Sequence, residues 1–124
     1  MTNPDAARVA AQLLGPGDPP PFTRQSFGRR LPVVVACDHA SACIPAALGE
    51  LGLGAAQRAR HIAWDIGAGA LATALARRLG VTVVAGGYSR LVIDCNRRLD
   101  DPTSIVELSD GDRVPGNVGL DAAW

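Results

Sequence analysis

The chain has 124 residues, 48% of them hydrophobic and 19% charged, which suits one small folded domain and excludes two. Twelve basic residues, every one an Arg, balance twelve acidic ones, so the net charge is zero and gives no electrostatic footprint for nucleic acid or an anionic membrane. Three Cys, and an N-terminus without the basic-then-apolar layout of a signal peptide, argue against a secreted disulfide framework and point to the cytoplasm.

Residues 1–31 read as a poorly ordered lead. Ala6 to Leu14 has the composition of a short helix, but Gly15-Pro16-Gly17-Asp18-Pro19-Pro20-Pro21 forbids regular structure, because Pro lacks an N–H and fixes φ. The ordered domain, residues 32–124, is expected to begin near Leu31. Pro32 to Cys37 is a continuous β-branched run, as in a strand buried on both faces. Pro45 opens a short helix through Leu51.

Asp65 to Leu79 is the clearest helix. Leu71, Leu75 and Leu79 recur every four residues, Arg77 and Arg78 sit in the last turn, and Gly80 is a C-cap. Val81 to Ala85 reads as a second strand. Gly86 to Ser89 turns the chain, and Arg90 to Cys95 reads as a third strand. Val118 to Trp124 reads as the opening of another helix. The order β–α–β–β implies an α/β fold with a mixed sheet flanked by helices.

Polar residues directly after buried strands are the first place to seek chemistry, since sites in open α/β sheets lie beyond the carboxyl ends of strands. The first such cluster is Asp38-His39-Ala40-Ser41. A neutral imidazole at His39 suits Zn²⁺, and a neighbouring carboxylate orients it; the plainer reading is a loop-capping His. Ser41 lacks the G-x-S-x-G setting of a nucleophile.

The second cluster is Asp94-Cys95-Asn96-Arg97. Arg97 offers a planar donor fork for a carboxylate and Asn96 a further donor; the alternative is a structural Arg97 paired to Asp94 or Asp100. His61 and Asp65 share a face only if the helix begins early. Their plain readings are an exposed His and an N-cap. Arg90 either binds an anion or pairs with a strand-end acid. Cys37 and Cys95 read as small hydrophobes, and a catalytic thiol would need a His in reach.

Val33 to Ser41 with Ile44-Pro45, His61 to Ala68, Tyr88 to Arg97, Leu99 to Ile105 and, more weakly, Pro115-Gly116-Asn117 together resemble the N-formylglutamate amidohydrolase family. The resemblance implies a fold similar to the zinc exopeptidases. It implies metal-dependent hydrolysis of the N-acyl amide of a small acylated amino acid such as N-formylglutamate, a step of histidine degradation. It implies a divalent metal, taken as zinc, with His39 and Asp65 as ligands. Asp38 and Asp94 then lie behind them, and Asn96, Arg97 and Arg90 bind the substrate.

The related exopeptidases carry a Glu three residues after the first His, where this chain has Ala42. Family members run to roughly twice this length, within ordinary single-domain size. The resemblance therefore implies a truncated, incomplete domain whose general base and further His ligand lie in the missing half. Two alternatives stay open. One is a non-catalytic remnant that keeps the anion-binding residues; the other is a Cys-dependent amidase using Cys95 or Cys37.

Overall fold

The computed structural model describes residues 13–28 and 31–120. Three strands, β1 (Phe22–Ser26), β2 (Val34–Cys37) and β3 (Thr82–Gly86), form one sheet in the order β1-β3-β2. β3 runs parallel to β2 and antiparallel to β1, so the sheet is mixed. A 3-10 turn at Ala46–Leu48 and a short helix α1 (Ala55–Arg58) follow β2. Helix α2 (Ala68–Leu79) then leads into β3. A two-stranded hairpin, β4 (Leu108–Ser109) with β5 (Asp112–Arg113), and a 3-10 turn at Pro115–Asn117 complete the described chain.

α2 is the crossover between the parallel strands β2 and β3. It packs on the sheet through Ala72 and Ala76, which join Val81 and Val83 in a buried cluster against Phe27, Val35 and Cys37. The leucine row that marks the helix in sequence is its outward side: Leu71 is 71% exposed, Leu75 45% and Leu79 43%. Small residues on the inner face let the helix backbone lie close to the strands. Gly80 ends the helix in the left-handed region, φ 69°, where glycine is unstrained.

Strand β2 lies at the sheet edge with Val34 60% exposed, not buried on both faces as its apolar run implied, and four further expectations need correction. First, the stretch read as a lead contains β1, all of whose residues are exposed and which pairs along its length with β3. The preceding prolines are tied down through their free carbonyls. Gly87 N–H donates to Pro21 O at 2.9 Å, and the Tyr88 hydroxyl donates to Pro19 O. Asp18 accepts from Ala46 N–H at 3.0 Å.

Second, Arg90 to Cys95 is a turn-rich loop and not a strand. Its apolar run fills a second core instead. Leu91 is fully buried with Leu51, Leu53, Ile62, Ala63 and Val114. Third, the helix begins at Ala68 and not at Asp65, and the Pro45 helix is only a 3-10 turn. Fourth, the sheet is mixed because β1, from the stretch read as a lead, runs antiparallel to β3, and the predicted third strand takes no part in it. Most of the Ala6–Leu14 helix and the end of the Val118–Trp124 helix lie outside the described residues.

Parallel pairing of Cys37 with Ala85 brings the carboxyl ends of β2 and β3 to one edge. Asp38-His39 therefore emerges beside Gly86-Gly87. A Cβ on Gly86 would collide with the carbonyl oxygen of Asp38. We expect Gly86→Ala to destabilise the fold by about 1–3 kcal/mol, the usual cost of overpacking against fixed backbone. Urea unfolding checks this, and an unchanged midpoint would show that the two strand ends are not so closely apposed.

Candidate active site

His39 leaves the end of β2 and points at two carboxylates. Its Nε2 lies 2.6 Å from Asp94 Oδ1, with both side chains nearly buried. Its Nδ1 lies 3.4 Å from Asp65 Oδ2. Asp65 stands in the loop before α2, and its N–H donates to the His39 carbonyl at 2.9 Å. The two residues are thus joined through main chain as well as side chain. The other oxygen of Asp65, Oδ1, accepts from Arg90 Nη2.

Asp94 is the most constrained acid of the group. Its N–H donates to Ser104 O at 2.7 Å and its carbonyl accepts from Arg97 N–H at 3.0 Å. Its carboxylate takes Asn96 N–H at 2.9 Å, an Asx-type turn, besides the imidazole. Burial by itself pushes the carboxyl up. The imidazole hydrogen bond, the Asn96 N–H and the charges of His39 and Arg97 outweigh burial and hold it below the ordinary carboxylate value.

Two depressions flank this pair. One, of about 390 Å³, is a groove between β2 and α2 that ends at His39, Asp65 and Asn96, with Asp38 on its wall and Leu71 and Leu75 along its length. The other, of about 180 Å³, is lined by Arg90, Asp94, Arg97, Thr103 and Ser109 among others. Asn96 and Arg97 are neighbours in sequence but open onto different depressions. The Arg97 guanidinium has no hydrogen-bond partner among the described residues, and it is Arg98 that pairs with Asp100, at 2.9 Å. Asp38 makes no side-chain hydrogen bond to the imidazole among the described residues; Asp94 does.

His61 lies apart from this group. Residues 59–67 are turns, so His61 and Asp65 share no helical face. Its Nε2 sits 3.5 Å from Asp110, where Arg60 also binds Asp110 and Asp112 of the β4–β5 hairpin. The thiols of Cys37 and Cys95 are both pushed up, chiefly by burial and then by nearby Asp charges; a backbone N–H lowers each in part.

Two residues that carried no role in the sequence frame the site. Ser89, 1% exposed, donates through Oγ to Ala63 O at 2.8 Å and accepts from Leu91 N–H at 3.1 Å. Asn117, 3% exposed, donates to Leu91 O and Val106 O, each at 2.8 Å. Together they lock the loop that presents Arg90 and Asp94. Pro115-Gly116-Asn117 was the weakest of the matching segments, and nothing in its spacing marked Asn117 as buried.

A metal has to be fitted to the donors present. Bond lengths of about 2.0–2.1 Å in a tetrahedral site place two donors about 3.3 Å apart. The 3.4 Å between His39 Nδ1 and Asp65 Oδ2 matches that spacing, and Asp94 on the far nitrogen is the usual carboxylate partner of a ligating imidazole. The pair fits two corners of such a site. No cluster of three or more His, Cys, Asp or Glu suited to a metal occurs among the described residues.

The chain is a small mixed α/β domain with an imidazole held between carboxylates at its strand ends and arginines alongside. The family profile described as N-formylglutamate amidohydrolase matches residues 31–123, and the chain belongs to that family, a family of hydrolases. It is similar to the crystal structure of gene product Atu2144 from Agrobacterium tumefaciens, with 35% sequence identity and a TM-score of 0.82. That match covers 91% of this chain and 45% of the other, so the chain spans less than half of that neighbour's length. No curated protein matches. Among the described residues, no helix is long and apolar enough to cross a membrane.

Two outcomes are expected here. A carboxyl held below its unfolded value of about 3.9 stabilises the fold above that pH and loses its contribution as pH falls through the folded value. Asp94→Asn should therefore flatten the loss of stability below about pH 4. Denaturation midpoints from pH 2 to 7 test this, and identical acid limbs would refute it. Asn117→Ala strands two buried carbonyls and should cost about 2 kcal/mol or more, read from thermal unfolding.

Proposed function

We propose that the chain supplies the His39–Asp65 part of a divalent-metal centre, zinc in the first instance, in a cytoplasmic amidohydrolase. Its reaction is hydrolysis of the N-acyl amide of an acylated amino acid such as N-formylglutamate, as in histidine degradation, giving a carboxylic acid and a free amino acid. The observation that carries the reading is the 3.4 Å separation of His39 Nδ1 and Asp65 Oδ2, with Asp94 behind the imidazole at 2.6 Å. The fold proposed for the whole domain is that of the zinc exopeptidases.

A bound metal ion in this position supplies Lewis-acid polarisation of the scissile carbonyl and acidifies water. The chain's own residues do the rest. Asp94 fixes the tautomer of His39 by accepting from Nε2–H, which leaves the Nδ1 lone pair toward Asp65. The unpaired fork of Arg97 faces the second depression, where it meets a substrate carboxylate in two parallel hydrogen bonds. Asn96 borders the metal-side groove, where its amide can donate to the amide oxygen of the substrate.

A general base is not supplied by the described glutamates. Glu50 pairs with Arg58 at 2.7 Å, and Glu107 accepts from Gly119 N–H at 3.1 Å. A second reading, an anion-binding domain without catalysis, is favoured by the presence of only two fitting donors among the described residues. The Cys-dependent reading is opposed by the raised thiols, since the thiolate is the nucleophile.

Metal content of the unchelated chain tests the proposal. About one zinc per chain, lost in His39→Ala, with release of formate from N-formylglutamate, is the expected result. Zinc binding that survives His39→Ala would overturn the assignment, and formate release without zinc would move the chemistry elsewhere.

A further inference from the structure

Arg90 was expected to hold substrate, yet one arm of its guanidinium, Nη2, is already engaged, while its buried Nε has no partner among the described residues. Nη2 donates to Asp65 Oδ1, while the opposite oxygen, Oδ2, faces His39 Nδ1. A carboxylate on a short side chain rotates freely about its last bond unless one oxygen is held. Asp65 is half exposed, at 52%, so packing does not fix it. Arg90 is the group that does, and its own side chain is only 25% exposed.

The backbone beneath both residues is shared. Arg90 N–H donates to Ala63 O at 3.1 Å, and Ser89 Oγ donates to the same oxygen at 2.8 Å. Ser89 N–H donates to Cys43 O at 2.7 Å. The loop bearing Arg90 is thus sewn to the segment that carries Asp65, two residues beyond Ala63. A purely substrate-binding Arg needs no such registry with an acid on another segment.

The geometry points to Arg90 as a positioning residue for Asp65: it selects which carboxylate oxygen is presented beside His39 Nδ1, and so tunes divalent-metal affinity rather than gripping substrate. This rests on the reading of His39 and Asp65 as metal ligands. Oδ1 accepts from the guanidinium and Oδ2 keeps its lone pairs for the cation. The contact is a single one, from Nη2 to Oδ1, delivered by a rigid planar guanidinium; the flexible ammonium of Lys gives only part of that orientation.

The test is Co²⁺ titration of the full chain, read from the visible absorption of the bound ion, with circular dichroism as the control for folding. Arg90→Gln should weaken Co²⁺ binding by about tenfold or more, the usual effect of losing a group that orients a ligand, and Arg90→Lys should recover part of it. In an Asp65→Ala background the same Arg90→Gln change should matter by less than about twofold, since Arg90 acts through Asp65. An Arg90→Gln chain with unaltered Co²⁺ affinity overturns the inference, as does an equal loss in the Asp65→Ala background. Should Arg90→Gln unfold, Arg90→Lys carries the same comparison in both backgrounds. Parental binding that is absent, or unchanged by His39→Ala, removes the metal-site reading itself and this inference with it.

Discussion

A carboxylate buried as deeply as Asp94 is costly unless its lone pairs are filled. The loop after β3 is built around filling them. One oxygen accepts from His39 and from Asn96 N–H, while the residue's own amide and carbonyl are bonded to Ser104 and Arg97. His39 comes from the end of a strand, and Asp94 from a loop 55 residues later. Their bond is therefore the joint between the sheet and the irregular half of the domain. Without it the imidazole has no fixed tautomer, and the loop carrying Arg90 to Arg97 loses its anchor on the sheet edge.

The joint depends on the direction of the strands. β2 and β3 are parallel, and right-handed crossover through a helix is how such pairs are joined. α2 makes that crossover, and the two carboxyl ends then open onto one edge. The chain beyond β3 returns over this edge as loop, not strand, and its apolar residues pack on Leu51, Leu53 and Ile62. Two small cores result, one under α2 and one under the loops, with the His39–Asp94 pair between them.

Much of this is legible in the residues, and the misreadings have definite causes. The run Val33 to Cys37 and the helix ending at Gly80 are local patterns, and both elements are present. Leu91-Val92-Ile93 has strand composition, but a short apolar run cannot say whether it pairs with a sheet or fills a loop core. β1 is the converse case. Phe22-Thr23-Arg24-Gln25-Ser26 has no buried face to give an alternating signal, and its order comes from the partner strand and from prolines held by Gly87 and Tyr88. The α2 leucines mark the helix but lie on its outward side, because here Ala72 and Ala76 are the residues that face the strands.

The candidate site shows the same division. His39 and Asp94 were readable because each follows an apolar run that stops abruptly. Their mutual contact is no local pattern, since it depends on where a loop folds back; only the family resemblance put Asp94 behind His39. The pairing of Arg90 with Asp65 was beyond reach for the same reason, and it changes what the arginines offer. With Arg90 engaged by Asp65, the open charge belongs to Arg97, with Thr103 and Ser109 as neutral hydroxyls beside it.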